Sequence, residues 1–282
     1  MPDAKSPPDG LDQAAGGTSR TPRHVLITGA TSGLGRALAE RYAQSGRLLS
    51  ISGRDQERLD SLTTTCRDAG AEVHATTLDV TDHQAMEKWV IERDQHQPID
   101  ILIANAGIGG AEVVPPRTGE DGALARHILS VNTLGIINTV TPITPRMIAR
   151  GRGHIVMVGS IQDSVGVPQS PVYCASKAAV QLYAEGLRRL IAEQGVSVTL
   201  VRPGFIDTPM SRSLSMPRPF CWTAERAADR VIADIAKKAR QSAFPWPVRL
   251  LFGLQKLAPV WITDLVIKQT TRHGWKNADG SD

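Results

Sequence analysis

Tyr173 and Lys177, four residues apart, are the pair in this sequence best suited to acid–base chemistry. They lie in a stretch predicted to be helical, and residues at this spacing stack on one face of a helix. A free tyrosine titrates near pH ~10, and a fixed positive charge beside it lowers its pKa. Ser160 ends a predicted strand just upstream. The pattern predicts a site that gives or takes a proton.

A glycine-rich turn follows the first predicted strand, with the spacing G-x-x-x-G-x-G over residues 29–35. Strand, turn and helix start together form an anion site, because the turn's N–H groups and the helix dipole point at a pyrophosphate. Glycine permits both the tight turn and the close approach of the ligand. A loop that binds nothing remains the alternative. The residues predicted to hold a dinucleotide here are Gly29, Thr31, Ser32, Gly33, Leu34 and Gly35.

Further motifs follow in a fixed order, some at the ends of predicted strands and others in predicted helices. They are the N-A-G run at 105–107, Asn132, Ser160, the Tyr173 and Lys177 pair, and the P-G turn at 203–204. With the T-G-x-x-x-G-x-G turn beginning at Thr28, they resemble the short-chain dehydrogenase/reductase family over about 25–239. The resemblance implies an oxidoreductase that transfers a hydride between a nicotinamide cofactor and a carbonyl or secondary alcohol substrate.

The same resemblance implies a role for each member of a catalytic tetrad. Tyr173 is the acid or base, Ser160 holds the substrate oxygen, and Lys177 lowers the pKa of the tyrosine and contacts the nicotinamide ribose. Asn132 anchors a water that links the lysine to solvent, and it can also satisfy backbone groups at a helix bend. Without these partners, the Tyr–Lys spacing would be common surface decoration and Ser160 a strand-end cap.

Other cofactor contacts are expected by resemblance on both sides of the dinucleotide. Asp79 resembles the adenine-contacting aspartate of the family, although it could equally cap the next helix, where Thr81 and Asp82 compete. The remaining expected contacts are Val80 beside it, Asn105, Ala106 and Gly107 on the adenosine side, and Pro203, Gly204 and Thr208 around the nicotinamide.

The choice of nicotinamide cofactor is a question of charge at the end of the second strand. NAD-binding sites place an acidic residue there to bond the ribose 2′-OH. Here the strand ends in Gly53 and Arg54, and a planar guanidinium suits a 2′-phosphate. Asp55 is at a suitable distance for an NAD-type acid, but it is predicted to be the N-cap of the next helix. The sequence therefore favours NADP, with NAD as the alternative.

Strands and helices alternate along the chain, which predicts a parallel sheet covered on both faces. The expected fold is α/β: one doubly wound (Rossmann) domain over 23–245, with sites at the carboxyl ends of the strands. Pro142 and Pro145 should break the helix predicted over 118–150. Strands are predicted near 24–28, 47–52, 72–76, 99–104, 153–159, 196–202 and 242–244, and helices near 33–45, 55–69, 82–97, 118–150, 171–194 and 223–239.

Composition excludes several classes of function. The chain has 282 residues and a net charge of +4, without the basic run and interleaved aromatics of a nucleic-acid site. Its three cysteines are odd in number and unpaired in spacing, which predicts a reducing, cytoplasmic location. No metal site is predicted, because the histidines are scattered. No stretch reaches the ~18 apolar residues of a membrane span.

The two ends of the chain are predicted to differ from the domain between them. Residues 1–22 are rich in Pro, Gly, Asp, Ala and Ser, as in a disordered leader. Residues 246–282 form an apolar helical extension, which could dock on the domain or a partner subunit, wall the substrate pocket, or contact a membrane surface. The segment 207–222 resembles the mobile substrate loop of the family.

Two hypotheses about function, from different classes, remain. The leading one is an NADP-dependent enzyme for a carbonyl or alcohol, and the alternative is a catalytically idle NADP-binding redox sensor or scaffold. The substrate stays open between a lipid-like ketone, a steroid, a sugar and a small metabolite. A homodimer or homotetramer is expected through the helices near 118–150 and 171–194, where Leu182 and Leu187 add apolar surface.

Overall fold

The computed structural model describes residues 22–109, 120–168, 170–214, 218–247, 259–265 and 267. The leader predicted at 1–22 lies outside these residues except for residue 22, and so does most of the extension predicted at 246–282. The residues predicted to bind the cofactor or to take part in catalysis all fall within the described part.

The centre of the fold is a seven-stranded sheet in the order β3-β2-β1-β4-β5-β6-β7, and every strand pair in it is parallel. The order reverses between β1 and β4, which is where a doubly wound sheet opens a crevice for a ligand. The predicted fold is therefore confirmed. The strands are β1 (His24–Thr28), β2 (Leu48–Gly53), β3 (Glu72–Thr77), β4 (Ile101–Ala104), β5 (Gly153–Val158), β6 (Val196–Pro203) and β7 (Gln241–Phe244).

Helices cover both faces of this sheet. They are α1 (Gly33–Tyr42), α2 (Gln56–Asp68), α3 (His83–His96), α4 (Gly122–Leu129), α5 (Gly135–Val140), α6 (Thr144–Ala149), α7 (Pro171–Leu190), α8 (Pro209–Arg212) and α9 (Ala224–Ala236). A π-helical turn, Ser130–Leu134, joins α4 to α5, and a 3-10 turn, Ile161–Asp163, follows β5.

The hydrophobic core consists of two layers, one on each face of the sheet. Alternate strand residues point to opposite faces, so Val25 and Ile27 pack with α1, α2 and α9, whereas Leu26 packs with α3, α5 and α7. Leu187 belongs to this second layer and is 8% exposed. It was expected to add to an assembly surface, but it packs into the core of its own subunit.

The region predicted as one helix over 118–150 is broken, as its prolines indicate. α5 ends before Pro142, and Pro145 lies in the first turn of α6, where its missing N–H costs nothing. The π-helical turn at 130–134 was not predicted. It places Asn132, which is fully buried, beside α7 and the end of β4.

Within the described residues, no helix combines the length and apolar content needed to cross a membrane. Part of the predicted C-terminal extension is described: residues 260–265 are helical and leave Val260, Trp261 and Leu265 exposed. Trp246, just after β7, is also exposed.

Candidate active site

The glycine turn between β1 and α1 adopts a backbone that other residues would strain. Gly29 has φ +66°, and a Cβ built there would lie 2.7 Å from the Cα of Ala106. Gly33 has φ +53°, and a Cβ there would lie 2.8 Å from Cγ2 of Thr208. The turn is therefore packed against two other segments predicted to hold the cofactor, those after β4 and after β6.

The start of α1 is open to an anion. Ser32 occupies the N-cap position but makes no side-chain cap hydrogen bond, and the first turn carries no acidic residue. By contrast, Asp55 caps α2 and Asp82 caps α3, each accepting a backbone N–H at 3.0 Å. A pyrophosphate needs such N–H groups at a helix start, so the residues from Gly29 to Gly35 fit this part of a dinucleotide.

Asn105 links the end of β4 to the glycine turn. Its Nδ2 donates to the carbonyl oxygens of Thr28 and Gly29, both at 3.0 Å. Two residues on, a Cβ built at Gly107 would lie 3.3 Å from both Asn132 Oδ1 and Lys177 Nζ. The N-A-G run therefore borders the glycine turn at one end and the predicted tetrad at the other.

The predicted adenosine side brings Arg54 and Asp79 together. Asp79 Oδ1 accepts from both the N–H and the hydroxyl of Thr81, at 2.9 and 2.8 Å, so it does not cap α3. Burial acts to raise the pKa of Asp79, but these hydrogen bonds and the charge of Arg54 hold it below its ordinary value. Val80, the next residue, is buried and accepts from Asn138 Nδ2 through its carbonyl oxygen.

Ser160, Tyr173 and Lys177 meet where β5 ends and α7 begins. Ser160 Oγ accepts from the N–H of Gln162 at 3.1 Å, and its side chain acts to lower the pKa of Tyr173, so it is a strand-end cap and a site residue at once. Lys177 Nζ is buried, donates to the carbonyl oxygen of Val158 at 3.0 Å and lies 5.8 Å from the centre of the Tyr173 ring.

Asn132 uses its side chain to join three segments. Its Oδ1 accepts from the N–H of Ile108 at 2.8 Å, while its Nδ2 donates to the Ile108 carbonyl at 3.0 Å and to Ser176 Oγ at 3.1 Å. These bonds connect the loop after β4, the π-helical turn and α7. The expected role of satisfying backbone groups at a helix bend is therefore present in the structure.

The pKa of Tyr173 differs from the expectation. Burial raises it to about 12, and the hydrogen bond with Ser160 only partly opposes this. Burial likewise lowers the pKa of Lys177 to about 8, with the charge of Asp163 acting in the opposite direction. Lys177 was expected to bring the phenol toward neutral pH; here burial, which disfavours the phenolate, has the larger effect on the pKa of Tyr173, and the ammonium also bonds Val158.

The segment after β6 carries the residues predicted around the nicotinamide. Gly204 lies against the chain after β7, since a Cβ there would be 2.9 Å from Cδ of Pro245. Thr208 caps α8 through a capping box with Ser211. Pro203, the last residue of β6, joins this segment to the sheet beside β5.

One carboxylate forms two salt bridges within the predicted substrate loop at 207–222. Asp207 pairs with Arg212 at 2.8 Å and with Arg218 at 2.8 Å. Residues 215–217 of this loop lie outside the described part of the chain. The bonds of Asp207 hold α8, and thereby Thr208, close to the end of β6.

Sequence reasoning missed two charged residues beside the tetrad. Asp163 ends the 3-10 turn after Ser160, and Arg202 of β6 pairs with it. An aspartate shortly after β5 and an arginine near the end of the neighbouring strand β6 have opposite charges, and this pattern could have indicated an ion pair. Glu120 was also missed; its Oε1 accepts from the N–H groups of Val172 and Tyr173 at the start of α7.

One group of metal-ligand side chains is close together among the described residues. It comprises Glu72, His74 and His96, whose ligand atoms lie within 4.8 Å of one another. β3 is four strand positions from β5 in the sheet, or about 19 Å. Because of this distance, the group has no part in the site described above. The positive charge of Arg93, which acts on His74, also opposes the binding of a cation there.

Comparison with known proteins decides the family. The family model described as short chain dehydrogenase matches residues 23–218. The chain belongs to the short chain dehydrogenase family. Its members, including alcohol dehydrogenases and reductases, act on CH–OH or carbonyl groups with a nicotinamide cofactor, so this dehydrogenase is an NAD(P)-dependent oxidoreductase.

Individual relatives of this dehydrogenase agree with that assignment. Sulfoacetaldehyde reductase 2 of Chromohalobacter salexigens is 38% identical over 188 residues, which cover 65% of this chain and 73% of that protein. The structure of a short-chain dehydrogenase from Sphingobium yanoikuyae in complex with NADPH is 27% identical, with a TM-score of 0.71, and the match covers 78% of this chain and 87% of that one.

A second solved structure shows the likeness of the fold alone. A short chain dehydrogenase/reductase from Burkholderia phymatum in complex with NAD has a TM-score of 0.75 at 23% identity, covering 83% of this chain and 92% of that one. The two solved structures hold NADPH and NAD respectively.

Proposed function

We propose that this dehydrogenase is an NADPH-dependent carbonyl reductase with Tyr173 as its acid. The observation that carries the proposal is the meeting of Ser160, Tyr173 and Lys177 at the end of β5, where the buried ammonium of Lys177 lies 5.8 Å from the centre of the phenol ring. Because burial raises the pKa of Tyr173 to about 12, the phenol keeps its proton at neutral pH. A protonated phenol beside a hydroxyl is equipped to donate, which is what carbonyl reduction requires.

The roles of the side chains follow from this arrangement. When bound, NADPH supplies the hydride that the carbonyl carbon receives. Tyr173 Oη donates its proton to the carbonyl oxygen, and Ser160 Oγ donates a hydrogen bond to the same oxygen. The charge of Lys177 stabilises the phenolate that Tyr173 becomes, and Asn132 holds α7 against the loop after β4.

We further propose that the cofactor carries a 2′-phosphate. Arg54 is exposed directly after β2, where an NAD-binding chain would present a carboxylate. Asp55, the rival acid, already accepts the N–H of Arg58 at 3.0 Å and pairs with its guanidinium at 3.0 Å. The NADPH complex of the Sphingobium yanoikuyae relative supports the same choice.

The remaining predicted cofactor contacts divide between three places in this proposal. The glycine turn and the open start of α1 hold the pyrophosphate. Asp79, Val80 and the 105–107 run border the adenosine side. Tyr173, Lys177 and the segment after β6, from Pro203 through Gly204 to Thr208, border the nicotinamide ribose and ring.

The experiment that tests this function is a substrate panel followed by loss of NADPH absorbance. The panel includes sulfoacetaldehyde, because a relative at 38% identity is a reductase of that name, together with sugars, steroids and bulky apolar ketones. Turnover of at least one carbonyl, faster with NADPH than with NADH, is expected. Tight NADPH binding without turnover of any panel member would instead favour the redox sensor or scaffold.

We also propose a cytoplasmic homo-oligomer. Cys66, Cys174 and Cys221 are all free thiols, which supports a reducing compartment. Two large apolar side chains of α7, Leu182 and Leu190, are 68% and 77% exposed, which supports contact with a second copy.

A further inference from the structure

A buried ion pair, which the proposed reaction does not use, lies directly after Ser160 in the turn that follows β5. The Asp163 side chain is fully excluded from solvent. Arg202 Nε donates to Asp163 Oδ2 at 2.7 Å, and Arg202 Nη2 donates to the other carboxylate oxygen. Ser164 Oγ donates to Asp163 at 2.8 Å and accepts from Arg202 at 2.6 Å. Two neighbouring side chains thus hold the carboxylate in one orientation.

This pair joins the two halves of the site. On one side, Asp163 ends the 3-10 turn whose N-cap is Ser160. On the other, Arg202 directly precedes Pro203 and Gly204, the turn proposed to border the nicotinamide. The same turn makes a second contact, because a Cβ at Gly204 would lie 3.3 Å from Cδ1 of Ile161. The substrate-holding serine and the nicotinamide border are therefore tied together at two points.

Stability alone is a weak explanation for this pair. The desolvation of two buried charges offsets much or all of their attraction, and apolar replacements of such pairs are often neutral or stabilising. The carboxylate does, however, act on both proton-carrying groups. Its charge raises the pKa of Tyr173, on which Cys174 also acts, and it opposes the effect of burial on Lys177.

We propose that Asp163, held by Arg202, is a positioning residue of the reaction, since its ion pair fixes Ser160 relative to the Pro203 and Gly204 turn. Its buried charge also opposes the loss of the proton from Lys177. This inference rests on the proposed function. Asp163 touches neither substrate nor cofactor in this role and acts through Lys177, Tyr173 and Ser160.

The substitution Asp163→Asn tests the charge, because it keeps the size of the side chain and one acceptor oxygen. Without the carboxylate, Lys177 and Tyr173 both lose their protons at lower pH. The alkaline limb of kcat/KM for carbonyl reduction should therefore move down by about one pH unit. KM for NADPH should change less than kcat, since neither Asp163 nor Arg202 is itself among the proposed cofactor contacts.

A second measurement needs no substrate. Lysine labelled with ¹³C at Cε reports the titration of Lys177 by NMR, and Lys177→Met assigns the signal. The midpoint should lie near pH 8 in the unchanged protein and lower in Asp163→Asn. If the unchanged protein turns over no member of the panel, the proposed function fails, whereas this titration still decides whether Asp163 acts on Lys177.

Asp94→Asn is the matched control. Asp94 is a second buried carboxylate, with a side chain 2% exposed, and it is held by Arg146 and Arg150, each at 2.6 Å. It belongs to α3, away from the tetrad. Loss of these two ion pairs should lower the melting temperature. It should not move the alkaline limb of kcat/KM or the midpoint of the Lys177 titration.

The double substitution Asp163→Asn with Arg202→Met covers the case in which the single variant folds poorly, since it leaves no unpaired guanidinium. Its melting temperature should be higher than that of the single variant. The alkaline limb of its kcat/KM profile should stay at a lower pH than in the unchanged protein. An unchanged Lys177 midpoint in both Asp163 variants would overturn the proposal. So would an equal shift of the midpoint in Asp94→Asn.

Discussion

At the scale of single residues, the proton of Tyr173 decides the chemistry. Tyr173→Phe keeps the ring and removes only the hydroxyl that donates the proton. We expect kcat to fall at least ~100-fold, the lower end of what general acid catalysis contributes. The dissociation constant for NADPH should change less than about twofold, because binding energy resides mainly in phosphate and ribose contacts. Steady-state rates and fluorescence titration measure the two effects.

Tyr183→Phe is the control for this prediction. Tyr183 lies on the same helix, ten residues later, and packs partly buried against the second core layer. It has no place in the proposed reaction and should keep full activity. If Tyr173→Phe retained more than a few per cent of kcat, another group would be the acid.

Arg54 carries the second prediction at this scale. Arg54→Ala should weaken NADP(H) binding about tenfold to a hundredfold, the range for losing a charge-assisted hydrogen bond. Binding of NAD(H) should stay the same, because only NADP has the 2′-phosphate. Titration of both cofactors against both proteins measures the difference. Arg58→Ala, which removes a nearby exposed guanidinium paired with Asp55, is the control; equal losses of both cofactors in Arg54→Ala would point to NAD.

At the scale of elements, two strands of the sheet contain buried histidines. His24 of β1 bonds the Gln97 carbonyl at 2.6 Å and Ser50 Oγ at 2.8 Å, and His154 of β5 bonds Thr199 Oγ1 at 2.8 Å. Burial lowers the pKa of each to about 4 from an ordinary value of 6.5. Both side chains are therefore neutral in the folded protein near pH 7.

These histidines predict sensitivity to acid. Between pH 6.5 and about 4 the unfolded chain binds protons that the folded chain excludes, so the free energy of unfolding falls as pH falls. The loss is on the order of 3 kcal/mol for each histidine. Replacing both by Gln should flatten the dependence of melting temperature on pH in this window. The same change at His83, which is exposed, should leave the dependence as it is.

At the scale of the whole molecule, the layer formed by α4, the π-helical turn and α7 predicts assembly. Leu129 and Leu134 are 41% and 52% exposed there, and Leu182 and Leu190 of α7 are more exposed still. A two-fold symmetric dimer through this face would cover all four side chains. Light scattering at micromolar concentration should give at least twice the chain mass of 30.4 kDa.

Leu182→Arg should split this assembly, because it introduces a charge into the covered face. The melting temperature should change little, since Leu182 makes no part of either core layer. Leu265→Arg, an exposed position on the C-terminal helical segment, is the comparison. A splitting caused by Leu265→Arg and not by Leu182→Arg would move the interface to the C-terminal helix, and a monomeric unchanged protein would exclude the dimer.

Much of this molecule was predictable from its sequence, because local patterns specify local structure. All seven strands appear within two residues of their predicted starts. The glycine turn, the cap at Asp55 and the break before Pro145 follow from backbone preferences of single residue types. β4 starts late, at Ile101 rather than at 99, because the N–H of Ile99 bonds Asp94 instead of a neighbouring strand.

Only the tertiary structure decided the features that depend on residues far apart in the chain. Asp163 and Arg202 pair across 39 positions, and the π-helical turn is accompanied by the bonds of Asn132 to Ile108 and Ser176. Burial, which no local pattern reports, raised the pKa of Tyr173 against expectation. Sequence alone determined the family, the order of elements and the residue types at the site. The environment of each group, and with it the charge it carries, depends on what the fold packs around it.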